Sequence, residues 1–442
     1  MKILPTIGPA TQETATLKTI FKYCNIVRLN SSHNEIDWHK KIIKKINKIN
    51  KDIDILLDIP GIKPRTDNKK TILVKKNQTV KFMYGHNIET NHISTTKPLP
   101  KSNKNSKYFS VDDGKLVFKT IKSSKNLLIG KALGNYQIHP KKGINVPFSI
   151  YDNEKQKKNY LKYLSLFKKS DFNLVGLSFV QNHNLVLFLK KKYPNLLFVS
   201  KIENSEGLKN VENICKVSDI IMIDRGDLSA EIGNDKLYDS ILKISYFAKK
   251  FGKPLIMATE NLENLSKNIL PSKNDIISLG FSSQVNSDII MLSEETAIEK
   301  SWKKTIIWLD KFIKKQKHNT NKIIDKNIFW KTVDLVRNNV LVVFTKKGWM
   351  LDKIFKNNIK NDVIIFTDTK KTYTIAKFYK NAKCIITNKF NNKNISKFYY
   401  DNIKKNKKII FNRDDNAFLI TISFPKKGSV ANTLSFINKK DF

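Results

Sequence analysis

Residues 197–228, with the sequence LFVSKIENSEGLKNVENICKVSDIIMIDRGDL, contain the pattern that indicates the fold most clearly. Two apolar runs, at 197–203 and 219–225, stand on either side of an amphipathic stretch at 205–217. Each run is continuous in hydrophobicity, which is typical of strands that are buried on both faces of a parallel sheet. The stretch therefore predicts a strand, a helix and a second, parallel strand.

The same pattern recurs on both sides of this unit. Most of the other apolar runs are also followed by amphipathic segments, such as the one at 11–24. Six further runs read as strands, at residues 2–8, 25–30, 54–58, 173–179, 254–259 and 288–293. Eight strand–helix units predict an α/β fold of the closed (β/α)8, or TIM-barrel, type.

One interval breaks this alternation. Between residues 67 and 146, runs rich in Thr, Val and Ile are separated by Asn, Gly and Ser, at 71–74, 79–83, 115–121 and 126–129. Such runs predict a small all-β domain inserted after the third barrel strand. The barrel then consists of residues 1–66 and 147–318, close to the usual length of ~250 residues.

A third domain is expected after the barrel, over residues 319–442. Its apolar runs lie at 340–344, 363–366, 382–386, 408–411 and 418–424. We interpret this region as a C-terminal α/β domain with a separate sheet.

The charge of the chain points first to nucleic acid. The 442 residues have a formal net charge of +42, and a strongly basic balance is typical of nucleic-acid binders. Of the 81 basic residues, however, five are Arg and the other 76 are Lys. Lys, Asn and Ile share A/T-rich codons, and nucleic-acid surfaces usually use Arg for bidentate contacts. We therefore interpret the charge mostly as background and do not expect nucleic acid as the main partner. The alternative is a second role in which the Lys-rich surface binds nucleic acid, which would require one continuous basic stripe.

Cysteine usage and hydropathy indicate the compartment. Cys24, Cys215 and Cys384 are odd in number and widely spaced, which favours reduced thiols over disulfides or a zinc site. No apolar run has the length needed to cross a bilayer, and the first twelve residues, broken by Pro and Gly, make a poor signal peptide. We expect a cytoplasmic protein with no membrane partner.

Charged residues converge on one end of the predicted barrel. The active site of such a barrel lies at the C-terminal ends of its strands. Five predicted strands end in charged or polar residues, at 28–33, 58–65, 201–204, 224–227 and 259–260. Three of the five Arg residues lie there, namely Arg28, Arg65 and Arg225. Because a guanidinium holds phosphate or carboxylate bidentately, this predicts a substrate with one of those groups; the alternative is chance at a polar mouth.

Two carboxylates at neighbouring strand ends form a candidate metal site. Glu203 and Asp227 offer the hard oxygen ligands that Mg²⁺ prefers. The alternative is an ion pair with Lys201 or Arg225. Lys201 precedes Glu203 by two residues, so both side chains point to one side of the strand. A cation and a metal beside one oxyanion would stabilise charge in phosphoryl or enolate chemistry.

The sequence Arg225-Gly226-Asp227-Leu228 and the residue His33 give weaker signals. A turn followed by a helical pattern offers backbone N–H groups to an anion, although an Arg-Gly-Asp is often only a turn. His33 is placed to contact phosphate, but a single histidine is more often an ordinary loop residue.

Over nearly its whole length the chain resembles the pyruvate kinase family. The order and spacing of short motifs carry the resemblance, most clearly in the barrel. They are TIGPA (6–10), RLNSSH (28–33), VDDG (111–114), KKGINVP (141–147), LSFV (177–180), KIEN (201–204), RGDL (225–228), GKP (252–254), AT (258–259) and MLSEETA (291–297). In the last domain the similarity is confined to a closing turn with Gly428, Asn432 and Thr433.

The resemblance implies an activity and a set of partners. The family transfers the phosphoryl group of phosphoenolpyruvate to ADP, giving pyruvate and ATP in the last step of glycolysis, and is usually a homotetramer. Its inserted domain acts as a lid whose closure excludes water. Positioning and charge stabilisation dominate such a reaction.

The resemblance also implies residue roles. Catalysis would use Arg28, Lys201, Thr259 and Arg65, and the substrate would contact Gly226, Asp227 and Thr259. The nucleotide would contact Arg28, His33, Arg65 and Lys142. Glu203 and Asp227 would bind Mg²⁺ or Mn²⁺, while Asn30, Ser32 and Asp58 correspond to the ligands of a monovalent cation.

Several positions depart from the family pattern. Lys63 stands where potassium-dependent members carry Glu, and its ammonium resembles that of members that need no K⁺. Pro64 replaces an apolar residue, and Phe281 stands where a polar Asn is usual. Glu260-Asn261 replaces Gln-Met after Thr259. Asp224 replaces a small residue, and an added carboxylate near an anionic substrate should weaken binding unless it points away.

Two functional hypotheses follow for the barrel. The first is an active, divergent pyruvate kinase. The alternative is a catalytically impaired pyruvate-kinase-like binding or regulatory protein, which the departures at Asp224 and Glu260 motivate. Turnover of phosphoenolpyruvate separates the two.

Overall fold

The computed structural model describes residues 1–85, 92–100, 106–124, 126–168, 171–315, 328–336, 339–357, 359, 361–390, 394–421 and 433–442. Its largest sheet has eight parallel strands, which we number β1–β8 in chain order. They are β1 Lys2–Pro5, β2 Ile26–Asn30, β3 Asp54–Ile59, β4 Leu174–Leu177, β5 Leu197–Ile202, β6 Ile220–Asp224, β7 Leu255–Ala258 and β8 Ile289–Leu292.

The eight strands form a nearly closed barrel. From β2 to β8 each strand pairs with its neighbour in chain order, and β8 pairs with β1. Between β1 and β2 the ring is completed by a parallel bridge that joins Thr6 and Arg28. The predicted TIM-barrel class is therefore confirmed, and each predicted barrel run coincides with one of the strands, although β3 extends one residue beyond its run.

Helices surround the barrel, and their apolar residues pack on the outer faces of the strands. The α-helices in the barrel region are Thr14–Ile20, Ile36–Ile49, Asn153–Ser165, His183–Lys192, Ser205–Lys209, Val211–Val217, Arg225–Ile232, Leu237–Lys250, Glu263–Lys267, Lys273–Gln284, Glu294–Ala297 and Trp302–Lys315. The predicted amphipathic stretch at 205–217 is thus two helices. None of the helices that the structure describes is long and apolar enough to span a membrane.

Alternation along each strand decides which side chains enter the barrel. On β6, Ile220 and Met222 belong to the inner cluster, whereas Ile221 and Ile223 pack against the helices. On β5, Leu197 and Val199 likewise point inward. Since side chains of a strand alternate between faces, Asp224 and Lys201 occupy the next inward positions, at the carboxyl ends of their strands.

The insert contains a six-stranded sheet and a two-stranded sheet. The larger sheet has the strand order Ile144–Asn145, Tyr108–Val111, Leu116–Ser123, Leu127–Ala132, Thr79–Met83 and His92–Ser94, with only the last pair parallel. In the smaller sheet, strand Tyr136–Ile138 pairs with strand Ile72–Val74. The two connections to the barrel meet, because Arg65 and Gly143 form an antiparallel bridge.

The C-terminal region forms a mixed five-stranded sheet. Its order is Ala382–Ile386, Val363–Thr367, Val340–Phe344, Asn416–Thr421 and Thr433–Asn438, and only the last pair is antiparallel. Its helices are Ile328–Leu335, Trp349–Lys356, Lys370–Ala376, Ile395–Lys405 and Lys407–Ile410; short 3₁₀ turns lie at Asn234–Lys236 in the barrel and Lys439–Asp441 here.

Two sequence features of this last region are an apolar run at 408–411 and a predicted closing turn. The apolar run at 408–411 is mostly helix and buries Ile410 and Phe411 in the core of this region. Gly428 and Asn432 of the predicted closing turn lie outside the described residues.

The C-terminal sheet region docks on the amino-terminal end of the barrel. Phe378 is fully buried and packs with the inner cluster of barrel residues, so it closes the barrel from below. Lys377 beside it forms an ion pair with Asp54 at the start of β3, with 2.8 Å between Nζ and Oδ2. The opposite end of the barrel remains the mouth that the insert adjoins.

Candidate active site

Arg28 and Asp58 form a buried pair at the mouth. They face each other on neighbouring strands β2 and β3, and Arg28 Nη2 lies 2.7 Å from Asp58 Oδ2. Arg28 Nη1 also donates to the Thr6 hydroxyl, at 3.0 Å. Burial by itself raises the pKa of the Asp58 carboxyl, but the charges of Lys201 and Arg28 outweigh it and lower that pKa. Asp58 is therefore an anion that holds Arg28 in place.

Lys201 lies at the centre of the mouth. Its Nζ is 2.8 Å from Glu203 Oε1, 3.3 Å from Asp58 Oδ2 and 3.4 Å from Asp224 Oδ2. Burial opposes the charge, yet the three carboxylates raise the pKa of Lys201 well above its ordinary value. A permanently charged ammonium is thus fixed where the inward-facing side chains converge.

Glu203 is fully buried just after β5. The backbone N–H of Phe179 donates to its Oε2, at 2.6 Å. Its Oε1 accepts no hydrogen bond of good geometry, although Lys201 Nζ lies close to that atom. Burial, together with the nearby Asp224 and Asp227, outweighs Lys201 and raises the pKa of Glu203 to about 8. This carboxylate therefore needs more positive charge than the side chains around it supply.

Three carboxylates come together in a group that can hold a metal ion. One oxygen each from Glu203, Asp224 and Asp227 lie within 4.8 Å of one another. Hard oxygen ligands at this separation, one of them a buried oxygen with no hydrogen bond, fit a divalent cation such as Mg²⁺. The predicted pair Glu203 and Asp227 thus lies together, and Asp224 is an additional member.

Lys63 reaches the same group from the loop after β3. Its buried Nζ contacts Asp227 Oδ1 and lies 3.4 Å from Asp113 Oδ1 of the insert. Burial opposes the charge, but Asp227 and Asp113 outweigh it and raise the pKa of Lys63. Lys63 therefore links a candidate metal ligand to the insert.

Arg225 is placed differently from Arg28. Its guanidinium is buried and donates to the Thr259 carbonyl, to Ser278 Oγ at 2.5 Å and to Asn261 Oδ1 at 2.9 Å. Its hydrogen bonds therefore hold the chain after β7, so Arg225 does not support the argument for a bound anion.

Thr259 is fixed between two neighbouring segments. Its backbone has a φ of 60°, and its Oγ1 accepts from the Gly226 N–H at 3.0 Å. The same hydroxyl has two acceptors for its one proton, the Ala258 carbonyl at 2.7 Å and Asp224 Oδ1 at 3.1 Å. Arg225 holds its carbonyl, so the orientation of Thr259 depends on contacts with the end of β6.

The remaining predicted residues lie on the rim. Arg65 Nη1 donates to the Lys141 carbonyl at 3.0 Å, and Lys142 pairs with Asp112 at 2.8 Å. Partial burial, with the charges of Arg65 and Arg28, lowers the pKa of His33. His33 therefore lies near both guanidinium groups and is uncharged at neutral pH.

The residues predicted for a monovalent cation are only partly gathered. Asn30 and Asp58 are paired in register on β2 and β3. Asn30 Oδ1 accepts from the backbone N–H of Ser32, whose side chain is on the exposed surface.

Three residues of the mouth were missed by sequence reasoning. Ser293 follows β8 and lies 3.4 Å from Arg28 Nη1, and Thr6 follows β1. Both stand at strand ends, which was the available signal. Asp113 carries no such signal, because its contact with Lys63 depends on how the insert meets the barrel.

Comparison with known proteins agrees with this geometry. The family description "Pyruvate kinase, barrel domain" matches residues 1–306. The chain is 25% identical to the pyruvate kinase of Thermotoga maritima, over 98% of each chain. It is 31% identical to that of Buchnera aphidicola subsp. Schizaphis graminum, over 71% of this chain and 69% of the other. It is 29% identical to pyruvate kinase 1 of Saccharomyces cerevisiae, over 67% of this chain and 63% of the other.

Proposed function

The chain belongs to the pyruvate kinase family of phosphotransferases, and from that premise we propose that it transfers the phosphoryl group of phosphoenolpyruvate to ADP. The products are pyruvate and ATP. The observation that carries the proposal is the buried Lys201 ammonium, surrounded by Asp58, Glu203 and Asp224 and fixed at the barrel mouth. A fixed positive charge in a dry site is what a transferring phosphoryl group and a developing enolate require.

The proposed reaction breaks the bond between phosphorus and the enol oxygen of phosphoenolpyruvate. A β-phosphate oxygen of ADP forms the new bond to phosphorus, and the enolate that leaves takes a proton at its terminal carbon. Arg28 binds the transferring phosphoryl group, because a guanidinium donates two parallel hydrogen bonds to phosphate oxygens. Asp58 holds that guanidinium in place. Lys201 stabilises the charge on phosphoryl group and enolate. Thr259 lies at the protonation face, and the backbone at Gly226 and Asp227 binds the substrate carboxylate.

We propose Glu203 and Asp227 as ligands of Mg²⁺ or Mn²⁺. When bound, such a cation neutralises charge on the substrate oxygens during phosphoryl transfer. The support is the donor set itself, namely hard carboxylate oxygens with one buried oxygen that accepts no hydrogen bond.

We propose that the Lys63 ammonium makes K⁺ unnecessary. Its buried position between Asp227 and Asp113 supports a structural cation at the mouth. The residues Asn30, Ser32 and Asp58 would then have no need to hold a monovalent ion.

The nucleotide is proposed to lie at the rim, against Arg28, His33, Arg65 and Lys142. Lys142 belongs to the insert, which we propose spans residues 67–146 and closes as a lid between barrel segments 1–66 and 147–318. The proposed C-terminal domain comprises residues 319–442. A cytoplasmic location and a homotetramer are proposed from the family, and light scattering of the purified chain tests the second.

A coupled assay tests the proposed function directly. Pyruvate formation from phosphoenolpyruvate and ADP is followed with lactate dehydrogenase and NADH, at saturating Mg²⁺, with and without K⁺. We expect turnover in both conditions. Folded protein with no turnover in either condition would contradict the proposal. It would favour the alternative, an impaired homologue that binds without catalysis. The observation that favours this alternative is the position of Asp224 beside Lys201.

The same assay tests Lys63. We expect K⁺ to change the rate of the wild-type chain by less than about twofold, whereas Lys63→Glu should lower kcat tenfold or more without K⁺ and recover partly with it. Lys63→Met is the matched control, because it removes the charge without adding a carboxylate. Strong K⁺ stimulation of the wild type would contradict the role of Lys63.

A further inference from the structure

The helix Arg225–Ile232 follows β6, and polar groups occupy both of its ends. Its first turn contains Gly226 and Asp227, whose backbone is proposed to bind the substrate carboxylate. Glu231 follows Asp227 by four residues, so the two side chains lie on the same face of the helix. Glu231 is fully buried, and the proposed reaction makes no use of it.

Glu231 holds the strand at which the insert ends. Its Oε1 accepts a hydrogen bond from Asn145 Nδ2 at 2.9 Å, and Asn145 is also fully buried. Asn145 pairs in register with Ser110, on a neighbouring strand of the insert sheet. Because breaking this bond would leave two buried polar groups without partners, it fixes the end of the helix to the end of the insert.

The same helix meets the insert at two further places. The turn at Gly114 lies against Ala230, since a Cβ added to Gly114 would be 3.7 Å from Ala230 Cβ. Near the start of the helix, Lys63 pairs with both Asp227 and Asp113. The helix therefore contacts the insert near both of its ends, and a displacement of the insert should also displace the helix.

The surroundings of Glu231 are polar and only partly paired. Glu231 Oε2, Asn145 Oδ1, Ser149 Oγ and the Tyr151 hydroxyl are buried and have no hydrogen bond of good geometry among the described residues. Tyr151 lies close to Glu231, on the chain by which the insert rejoins the barrel. The bond between Asn145 and Glu231 is thus the well-formed side-chain contact of this group, and it should determine how the group is arranged.

We propose that Glu231 is a positioning residue for the substrate site, because its bond to Asn145 keeps the insert in register with the helix that presents Gly226 and Asp227. This role rests on the proposed function and deepens it. Substrate bound at the first turn then favours one position of the insert, and that position of the insert favours substrate binding. Loss of the bond should weaken the binding of phosphoenolpyruvate although no group that touches the substrate is removed.

The steady-state kinetics of a double-mutant cycle test the proposal. The variants are Glu231→Ala, Asn145→Ala, the double variant and Glu231→Gln. Asp219→Asn is the matched control, because Asp219 is a buried carboxylate before β6 that pairs with Lys190 at 2.7 Å. Circular dichroism establishes that each variant is folded. If Glu231→Ala does not fold, Asn145→Ala breaks the same bond and provides the test.

We expect the KM for phosphoenolpyruvate to rise about tenfold in Glu231→Ala and in Asn145→Ala, with kcat within about threefold of the wild type. The double variant should be no worse than either single variant by more than about twofold, because one bond is lost in all three. The control should keep its KM within about twofold. A KM that is unchanged in the folded variants, or losses that multiply in the double variant, would overturn the role of Glu231 alone.

Glu231→Gln is the conservative variant that separates this role from a requirement for charge. Burial raises the pKa of Glu231 to about 8, so at about pH 7 the carboxyl is mostly neutral and an amide resembles it closely. The Gln side chain retains an oxygen that accepts from Asn145, and we expect its KM to stay within about twofold of the wild type. A KM as high as that of Glu231→Ala would contradict the proposed hydrogen bond.

Deuterium exchange of the insert gives a measurement without turnover. Peptides that cover residues 137–147 are compared with and without phosphoenolpyruvate and Mg²⁺. The substrate should slow exchange there in the wild type and in Glu231→Gln, and much less in Glu231→Ala and Asn145→Ala. Equal slowing in all four chains would overturn the coupling. Slowing that depends on Glu231 in a wild-type chain without turnover would instead support the coupling and refute the proposed reaction.

Discussion

Strand β3 has a buried aspartate near each end, and the two are used in opposite ways. At the base, Asp54 pairs with Lys377 at 2.8 Å and accepts from the Thr374 hydroxyl at 3.2 Å. At the mouth, Asp58 shares Arg28 and Lys201 with other partners, and Lys201 in turn faces three carboxylates. The base ion pair is matched one to one, whereas the charges of the mouth are not.

The difference distinguishes docking from chemistry. A matched ion pair between two regions of the chain has its charges satisfied when the protein folds, so removing either partner leaves a buried charge and costs stability. A shared cation leaves carboxylate oxygens with too little positive charge until a ligand arrives. Mutations at the base should therefore change unfolding, and mutations at the mouth should change turnover.

The largest effect is expected at the mouth. Lys201→Met should lower kcat by about 10³-fold or more, because it removes the charge aimed at the transferring group. Its KM for phosphoenolpyruvate should change much less than its kcat. The coupled assay measures both, and Lys377→Met is the control, with kcat expected within twofold of the wild type.

An equal loss of kcat in Lys201→Met and Lys377→Met would contradict the distinction between mouth and base, since it would mean that both lysines act through folding. Near-normal turnover in Lys201→Met would contradict its proposed role altogether.

The next effect is expected at the base. Lys377→Met should lower the free energy of unfolding by about 3 kcal/mol, because Asp54 becomes a buried charge without its partner. Adding Asp54→Asn should restore part of that loss. Urea unfolding of the two single variants and the double variant measures the coupling. Additive losses would show that the ion pair does not dock the two regions.

A third effect is expected at a carboxyl group that has an amide partner instead of a cation. Glu231 is fully buried, accepts from Asn145 at 2.9 Å, and lies near Lys63, Asp227 and Tyr151. Burial outweighs Lys63 and raises the pKa of Glu231 to about 8. Between about pH 4.5 and about pH 8, the folded state therefore holds a proton that the unfolded state has lost. The free energy of unfolding falls as pH rises through this range and levels off above about pH 8.

Glu231→Gln should remove this pH dependence. Relative to the wild type, the variant should gain on the order of 1–4 kcal/mol of unfolding free energy between pH 5 and pH 9. Chemical unfolding at the two pH values provides the measurement, with Asp54→Asn as the comparison at the matched base pair. A difference between variant and wild type that does not change with pH would mean that Glu231 is ionised in the folded protein.

Much of the barrel could be read from the chain, because buried parallel strands are continuous apolar runs. The predicted runs cover β1–β8 except for Ile59, the last residue of β3. The charged residues near the strand ends, such as Arg28, Lys201 and Asp227, were identifiable as candidates. The alternation on β6 also predicts that Asp224 points inward, like Met222. The insert strand Tyr108–Val111 escaped prediction, because short edge and hairpin strands depend on their partners.

The order of the strands, the position of the insert after β3 and the set of charged residues at the strand ends all follow from the amino-acid sequence. These follow from local hydrophobic patterns and short motifs. Three sets of contacts became visible only in the folded chain. Arg225 holds the Thr259 carbonyl, Lys63 bridges Asp227 and Asp113, and Lys201 is shared among Asp58, Glu203 and Asp224. The physical reason is that a charge pairs according to distance in space, and residues far apart in the chain come within a few ångströms only when the barrel closes.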